Sequence, residues 1–501
     1  MSFEAALATI AGREADVGHL DGLARAALAE GEEAAALSHV VPAAEASNSA
    51  LLWRWAGLLH RSLDEHELAI GDFERAATLA PDDAGIAHGR ARTALEAGIE
   101  SVDLFLRARV LAPQDGSVLM GLAAARNAAG EGETAARELA DALERSPGWL
   151  AGYEALAQLL ATLGRRQSAT DALERAVARF PQQEQLWATL FEMRVRQEDF
   201  AALADDLGRA EAAGLGALAL AHYRAIVSAE LDTQTFPDAL FSSAPSPPSG
   251  LAIWRVRHLL RVGAADAALT YVDEAIESGE SGIWPYAATA WRLAQDPRSD
   301  WLEGDARLVQ TIDLTGALPP LPQLADFLRN LHLARGEYLD QSVRGGTQTD
   351  GPLLSRIDPQ IRDLRKAIVD AVESYIANLP RPDRGHPLLR ERRDRRIRFS
   401  GSWSVRLRSG GRHANHVHPE GWISSALYIA LPPSSPGEPE DAGWLTLGQP
   451  PENVAGSVEP SRKIKPVAGR LALFPSWMWH GTVPFATGER LTVAFDIRPP
   501  I

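Results

Sequence analysis

Prolines at positions 81, 113, 147 and 181 recur at spacings of 32, 34 and 34 residues, and an alanine stands five positions before each: Ala76, Ala108, Ala142 and Ala176. A fixed period in this range marks stacked supersecondary units, none of which can bury its apolar face without a neighbour. Each proline follows a helical run such as ALERSP or AVARFP, where it cannot continue the helix and so marks the turn into the next unit. Between Leu51 and Asp83, large Trp53 and Phe73 alternate with small Gly57, Ala69 and Ala76, ahead of Pro81. That pattern predicts two antiparallel helices in close approach, with the large residues filling the groove between them. Amphipathic periodicity continues with degraded signatures before Leu51, and after Pro181 to about Leu333, as terminal units with a polar outer face require. FSSAPSPPSG, from Phe241 to Gly250, predicts a loop between helical blocks.

These offsets resemble the tetratricopeptide repeat. The resemblance implies an α-solenoid scaffold with a concave face, and a peptide or protein is its expected partner.

Near Gln341 the chain changes character, with SVRGGTQTDGP bringing glycines and hydroxyls in place of alanine. One more helix is predicted from Asp358 to Leu379, with Ile361, Leu364, Ile368, Val372 and Ile376 at helical spacing. Beyond it the period shifts to two in IRFSGSWSVRLRSG, WISSALYIAL, GRLALFPSW and RLTVAFDI, which predict strands joined by loops rich in Pro, Gly and Ser. Several short antiparallel strands in this span predict a sandwich or jelly-roll barrel. The expected organisation is multidomain α + β: helical repeats over 1–300, a helical linker with support helices over 301–390, and a β domain over 391–501.

Composition narrows the chemistry. There is no cysteine, so disulfides, thiolate nucleophiles, iron–sulfur clusters and cysteine–zinc sites are excluded, and any metal must rest on His, Asp or Glu. No apolar run approaches membrane-spanning length and no secretory signal is legible at the start, so the expected compartment is the cytoplasm and no membrane partner is expected. A net charge of -16 argues against nucleic acid as a partner. The basic run LRERRDRRIR, from Leu389 to Arg398, is expected to be a solvated face of local Arg–carboxylate pairs.

Within the β region three histidines stand out: His416 and His418 in GGRHANHVHPEGW, and His480 in LFPSWMWHGT. Residues two apart on a strand share a face, so His416 and His418 can aim at one centre. A third ligand from a distant strand closes one face of an octahedron and leaves positions open, as in mononuclear non-haem iron sites.

The succession His416-x-His418, SSALYIAL, GRLALFPSWMWHGT and then Arg490 resembles the C-terminal part of the 2-oxoglutarate/Fe(II)-dependent oxygenases. It is most similar to a bacterial branch often joined to tetratricopeptide repeats, and the resemblance covers roughly Gln341 to Ile501. It implies a double-stranded β-helix and a dioxygenase that uses Fe(II), 2-oxoglutarate and O2, yields succinate, and most often hydroxylates. His416, His418 and His480 are the implied iron ligands. Arg490, ten residues past His480, and Thr492 are the implied partners of the cosubstrate's C5 carboxylate, with Tyr428 a further candidate. A planar guanidinium suits that role, since it can clamp a carboxylate through two parallel hydrogen bonds.

One departure stands out. Most of that superfamily carries H-x-D or H-x-E, whereas here a second imidazole leaves the metal site more positive; His418-Pro419-Glu420 restores H-x-E in a shifted register, so Glu420 is an alternative ligand. The aspartyl/asparaginyl β-hydroxylases also lack the carboxylate ligand. A cupin resemblance competes. Gly410 ahead of His416-x-His418, and Gly469 ahead of Pro475 and His480, echo the cupin metal motifs, but Trp422 and Ile423 stand where a Glu is expected. Both readings share the fold and the three histidines, and Arg490 with Thr492 favours 2-oxoglutarate. A barrel retained only as a catalytically inactive protein-binding scaffold is a third reading. Trp403, Trp422, Trp444, Trp477 and Trp479 are expected in the core or pocket wall. Arg344 and Gln348 are candidates for reaching the site or capping a loop, and residues 432–443 are expected as a mobile loop placed to act as a lid.

Overall fold

A computed structural model of the chain describes residues 1–10, 16–231, 250–339 and 341–500. Of the loop expected between Phe241 and Gly250, all but Gly250 lies outside the described residues.

The N-terminal part is an α-solenoid of antiparallel helix pairs. Helices Ala50–Ser62 and His66–Leu79 form one pair, Gly116–Ala128 and Gly132–Arg145 another. The repeated alanines close the helices: the carbonyls of Ala76, Ala108, Ala142 and Ala176 accept the N–H of the residue just before each proline. Their small side chains are buried between helices. Two residues after Pro81 and Pro113, Asp83 and Asp115 accept backbone N–H groups at the start of the next helix, so each proline ends one helix while a capping carboxylate starts another. Glycine is required where the pairs stack. A Cβ on Gly57 or Gly89 would stand 2.8 Å or 2.4 Å from the ring of Phe73, which is wedged between them.

The two helices of each pair are joined by a tight turn through a left-handed residue: Gly31, Asp64, Gly98, Gly130, Gly164 and Glu198 in succession. These turns line one edge of the array, and the C-terminal domain docks on it. Arg398 donates to Gly31 O and Arg365 to Asp64 O; Ile357 N–H donates to Ala97 O; Arg335 and Gly336 N–H donate to Thr162 O; Asn453 donates to Glu198. The basic run therefore departs from expectation. Arg390–Glu391 and Arg392–Asp394 are local pairs, but Arg395, Arg396 and Arg398 reach Glu32, Glu65 and the fully buried Glu33 of the first repeats.

The β domain is a jelly-roll of two antiparallel sheets. Among the described residues its strands are β1 (Gln310–Asp313), β2 (Val343–Gln348), β3 (Phe399–His413), β4 (Ile423–Ala430), β5 (Leu445–Leu447), β6 (Arg462–Ile464), β7 (Arg470–Pro475), β8 (His480–Thr482) and β9 (Glu489–Ile497). The larger sheet runs β1-β7-β4-β9-β3-β2 and the smaller β6-β5-β8. The stretch 301–390, expected to be helical, thus also supplies both edge strands of the larger sheet.

Alternation on β9 sorts its residues between two environments. Leu491, Val493, Phe495 and Ile497 join Ile361, Leu364, Ile368 and Val372 of the helix Pro359–Asn378 in one core. Arg490, Thr492 and Asp496 face the other way, into the barrel. The same core takes in Val256, Val272, Trp284 and Trp291 from the helices between 251 and 303, so these pack as part of the β domain's support.

Candidate metal and cosubstrate site

His416 and His418 lie just beyond the end of β3 rather than within a regular strand. They keep an extended course because backbone pairing holds them: His416 and His480 exchange N–H···O bonds of 3.0 Å each, and His418 N–H donates to Ser476 O at 2.9 Å. That bridge brings the three imidazoles together. One ring nitrogen from each lies within 4.8 Å of the others, and the ring centroids of His416 and His480 are 4.1 Å apart.

The hydrogen bonds around the rings fix what each can offer. Nδ1 of His416 faces Ala414 O at 2.8 Å and Nδ1 of His480 faces Met478 O at 2.9 Å, so both nitrogens must donate. Nδ1 of His418 donates to the carboxylate of Asp496, which also accepts the Ser424 hydroxyl at 2.6 Å. With every Nδ1 occupied, the lone pair of each imidazole falls on Nε2, the pattern that outer hydrogen-bond partners impose on metal-ligating histidines. Burial, followed by the neighbouring His418, lowers the proton affinity of His416 to a pKa of about 3. His480 is pushed well below the usual histidine value, first by burial and then by its neighbours. Neutral imidazoles of this kind suit iron, zinc, copper or nickel.

Two further residues touch the cluster. Ser342 Oγ lies 3.1 Å from His416 Nε2 and 3.0 Å from His413 Nδ1, and the His413 ring stacks on His416. An ion takes the His416 lone pair only with this hydroxyl turned away. Glu420, the alternative ligand, is exposed and falls outside the cluster.

Beside the histidines is a small chamber of about 40 Å³, with Arg490, Thr492, Trp403, Gln348 and Ser342 among its walls. Arg490 is 2% exposed, its Nε has no hydrogen-bond partner, and among the described residues no carboxylate pairs with it. Its guanidinium stands 5.1 Å from the ring centroid of Tyr428 and is the charged neighbour of that residue's buried hydroxyl. Tyr428 is directly opposite Thr492 across β4 and β9. A buried cation facing a chamber and flanked by two hydroxyls can receive a carboxylate. Gln348 and Arg344 both reach the cavities, while no residue of 432–443 lines either; that loop is tied to 483–487 by Glu438, Ser435 and Gly443.

Residues 401–496 match the family model described as "Putative 2OG-Fe(II) oxygenase". The matched span holds all three histidines, Tyr428, Arg490, Thr492 and Asp496. Solved structures similar to parts of the chain include YrrB, described as a tetratricopeptide repeat protein with an unusual peptide-binding site, at 19% identity over 35% of this chain and 93% of that one, TM-score 0.29. A tetratricopeptide repeat protein from Parabacteroides merdae ATCC 43184 shows 16% identity over 44% and 88%, TM-score 0.32. A Pseudomonas putida prolyl-4-hydroxylase shows 20% identity over 39% and 94%, TM-score 0.26. No curated protein sequence matches the chain, and no described helix is long and apolar enough to cross a membrane.

Asp496, Ser424, Ser342 and His413 are not foreseen from sequence. Asp496 has a legible signal, since it follows Arg490 and Thr492 at even spacing and so shares their inward face. Ser342 has none, because its approach to His416 depends on β2 pairing with the far end of β3.

Proposed function

We propose that the chain is an Fe(II)- and 2-oxoglutarate-dependent dioxygenase that hydroxylates a peptide or protein substrate. His416, His418 and His480 hold the iron through Nε2, and Arg490 with Thr492 and Tyr428 holds the C5 carboxylate of 2-oxoglutarate. The carrying observation is the pairing of two features at one chamber: three convergent histidine ring nitrogens and a buried guanidinium without a carboxylate. When bound, iron and cosubstrate together supply an oxidant for C–H bonds from O2, with succinate and CO2 released. The chain's own contribution is positional. Asp496, Ala414 O and Met478 O aim the imidazoles, Arg490 sets the direction of the cosubstrate, and Trp403 and Phe474 wall the chamber with apolar surface.

A peptide substrate is supported by the outer cavity. This cleft of about 1100 Å³ opens from His413, His416 and His418 to a far wall made by repeat residues Arg166, Arg196 and Glu198. The deciding experiment is succinate release from 2-oxoglutarate by anaerobically purified, Fe(II)-loaded protein after O2 is admitted, beside His480→Ala. Succinate formed by the native chain and abolished in the variant is the expected result. No turnover, together with no 2-oxoglutarate charge-transfer band on Fe(II) titration, points instead to a cupin-like metal site or an inactive scaffold.

A further inference from the structure

The rim of the cleft carries a charge arrangement that the proposed iron and cosubstrate chemistry does not use. Arg344 on β2 and Arg412 on β3 are directly opposite each other in the strand register, and both line the cleft. Cross-strand neighbours share a face, and like charges placed so repel. The usual remedy is an interposed carboxylate, but among the described residues neither arginine has one within ion-pair distance. Among the described residues, Arg344 donates only to the backbone carbonyls of Gln341 and Val343.

A third cation faces them from the other domain. Arg166, in the short helical turn Arg166–Ser168 of the repeats, lines the same cleft and, among the described residues, donates only to Leu339 O, at 3.4 Å. The cleft does contain carboxylates, Glu198, Glu420, Glu452 and Asp496, yet none pairs with these arginines; Glu198 is engaged by Asn453 and Arg257, and Asp496 by His418 and Ser424. Positive and negative groups are therefore held apart within one cavity. Side-chain amides of Gln341, Gln348, Asn415 and Gln449 line it as well, and amides match the donors and acceptors of a peptide backbone.

We infer that Arg344 and Arg412, with Arg166 across the cleft, form a subsite for a carboxylate side chain on the substrate, so that the oxygenase selects acidic peptides. This rests on the function proposed above, which it deepens by naming the substrate class. The repeats contribute to selection through Arg166 at the edge of the array, so recognition and chemistry share one cleft. The guanidinium pair suits a planar, bidentate anion, and its interaction with a ligand weakens with salt.

The test is fluorescence anisotropy with the full-length chain and two labelled hexapeptides, one of alternating glycine and glutamate and one with glutamine for glutamate. The native chain is expected to bind the acidic peptide at least tenfold more tightly than the neutral one. Arg344→Gln/Arg412→Gln is expected to abolish that preference while leaving Co(II) and 2-oxoglutarate binding unchanged, which also shows that the variant is folded. Equal binding of the two peptides, binding of neither, or a preference that survives in the double variant overturns the inference. Displacement of a bound acidic peptide by millimolar glutamate but not by inorganic phosphate supports a carboxylate subsite. A rim that takes inorganic phosphate and ignores both peptides overturns it in favour of a phosphorylated small molecule. Failure of the native chain to bind 2-oxoglutarate would instead remove the function on which the inference stands, and the cosubstrate titration reads that separately.

Discussion

Replacing Asp496 by asparagine changes few atoms and tests what aims the second imidazole of the H-x-H pair. The carboxylate is 7% exposed and divides its two oxygens between two donors, Oδ2 for His418 Nδ1 and Oδ1 for the Ser424 hydroxyl. Asparagine has one oxygen for the two donors and presents an NH2 group to the other. Either His418 or Ser424 then loses its acceptor. A hydrogen bond to a buried charged group contributes about 1.5–3 kcal/mol, and every ~1.4 kcal/mol is tenfold in an equilibrium constant. Metal binding is therefore expected to weaken by about 10- to 100-fold, the range found for outer partners of metal-ligating histidines. Co(II) titration, read by its ligand-field bands in competition with a chelator, measures this without turnover. Ser424→Ala leaves the carboxylate on His418 and is expected to shift Co(II) affinity far less. Native Co(II) affinity in Asp496→Asn would refute the claim that this contact positions His418.

Arg490→Ala is expected to weaken 2-oxoglutarate binding at least ~100-fold, from the loss of two charge-assisted hydrogen bonds, with Co(II) affinity within about threefold of native; comparable losses for both ligands would sink the assignment. Acidification is expected to destabilise the metal-free protein. His416 stays neutral in the fold down to a pKa of about 3, whereas the unfolded chain takes up that proton below 6.5. Stability is then lost as pH falls through 6.5, by about 2 kcal/mol at about pH 5 from His416 alone, and His413 and His480 act in the same direction. Urea midpoints at neutral and mildly acidic pH check this, and a midpoint that rises on acidification contradicts it. Arg398→Ala strands the fully buried Glu33 at the first repeat and is expected to cost about 3–5 kcal/mol; proteolysis that nicks the first repeats no faster than in the native chain argues against a docking role.

Periodicity carries most of what can be read from the sequence alone. The proline–alanine register is legible because helix ends repeat the same local chemistry, and the four strands β3, β4, β7 and β9 because each has enough residues to display alternation. β5, β6 and β8 have three residues each, too few for a period to register. β1 and β2 fall in a stretch expected to be a helical linker; VRGGTQ has two glycines and few apolar residues, and its pairing with β3 comes from a segment some sixty residues away. The same long range hides the docking edge. Arg395, Arg396 and Arg398 have nearby carboxylates in sequence, so local pairing is the natural reading, yet their partners lie in the first repeats. The candidate metal histidines are legible for the opposite reason, since spacing two apart is a local property that survives even where the strand itself has ended.

The H-x-H pair raises a question of charge that the barrel's inner face helps to answer. With a carboxylate among the ligands, part of a divalent ion's charge is cancelled by direct contact; three neutral imidazoles leave it whole. Asp496 returns one negative charge directly behind His418, buried and hydrogen-bonded to the ring that would touch the metal. Arg490 adds one buried positive charge of its own, with no carboxylate of the described chain to offset it. A divalent ion, Arg490 and Asp496 together then call for a ligand carrying two negative charges, which is the charge of 2-oxoglutarate at neutral pH. A monoanion leaves one buried positive charge uncompensated, a heavy penalty in a low-dielectric chamber. Charge balance and the geometry of Arg490 thus favour the same class of cosubstrate on separate grounds. It also follows that Asp496→Asn should weaken the binding of the metal more than that of the dianion, because Arg490, the proposed receiver of the C5 carboxylate, is untouched.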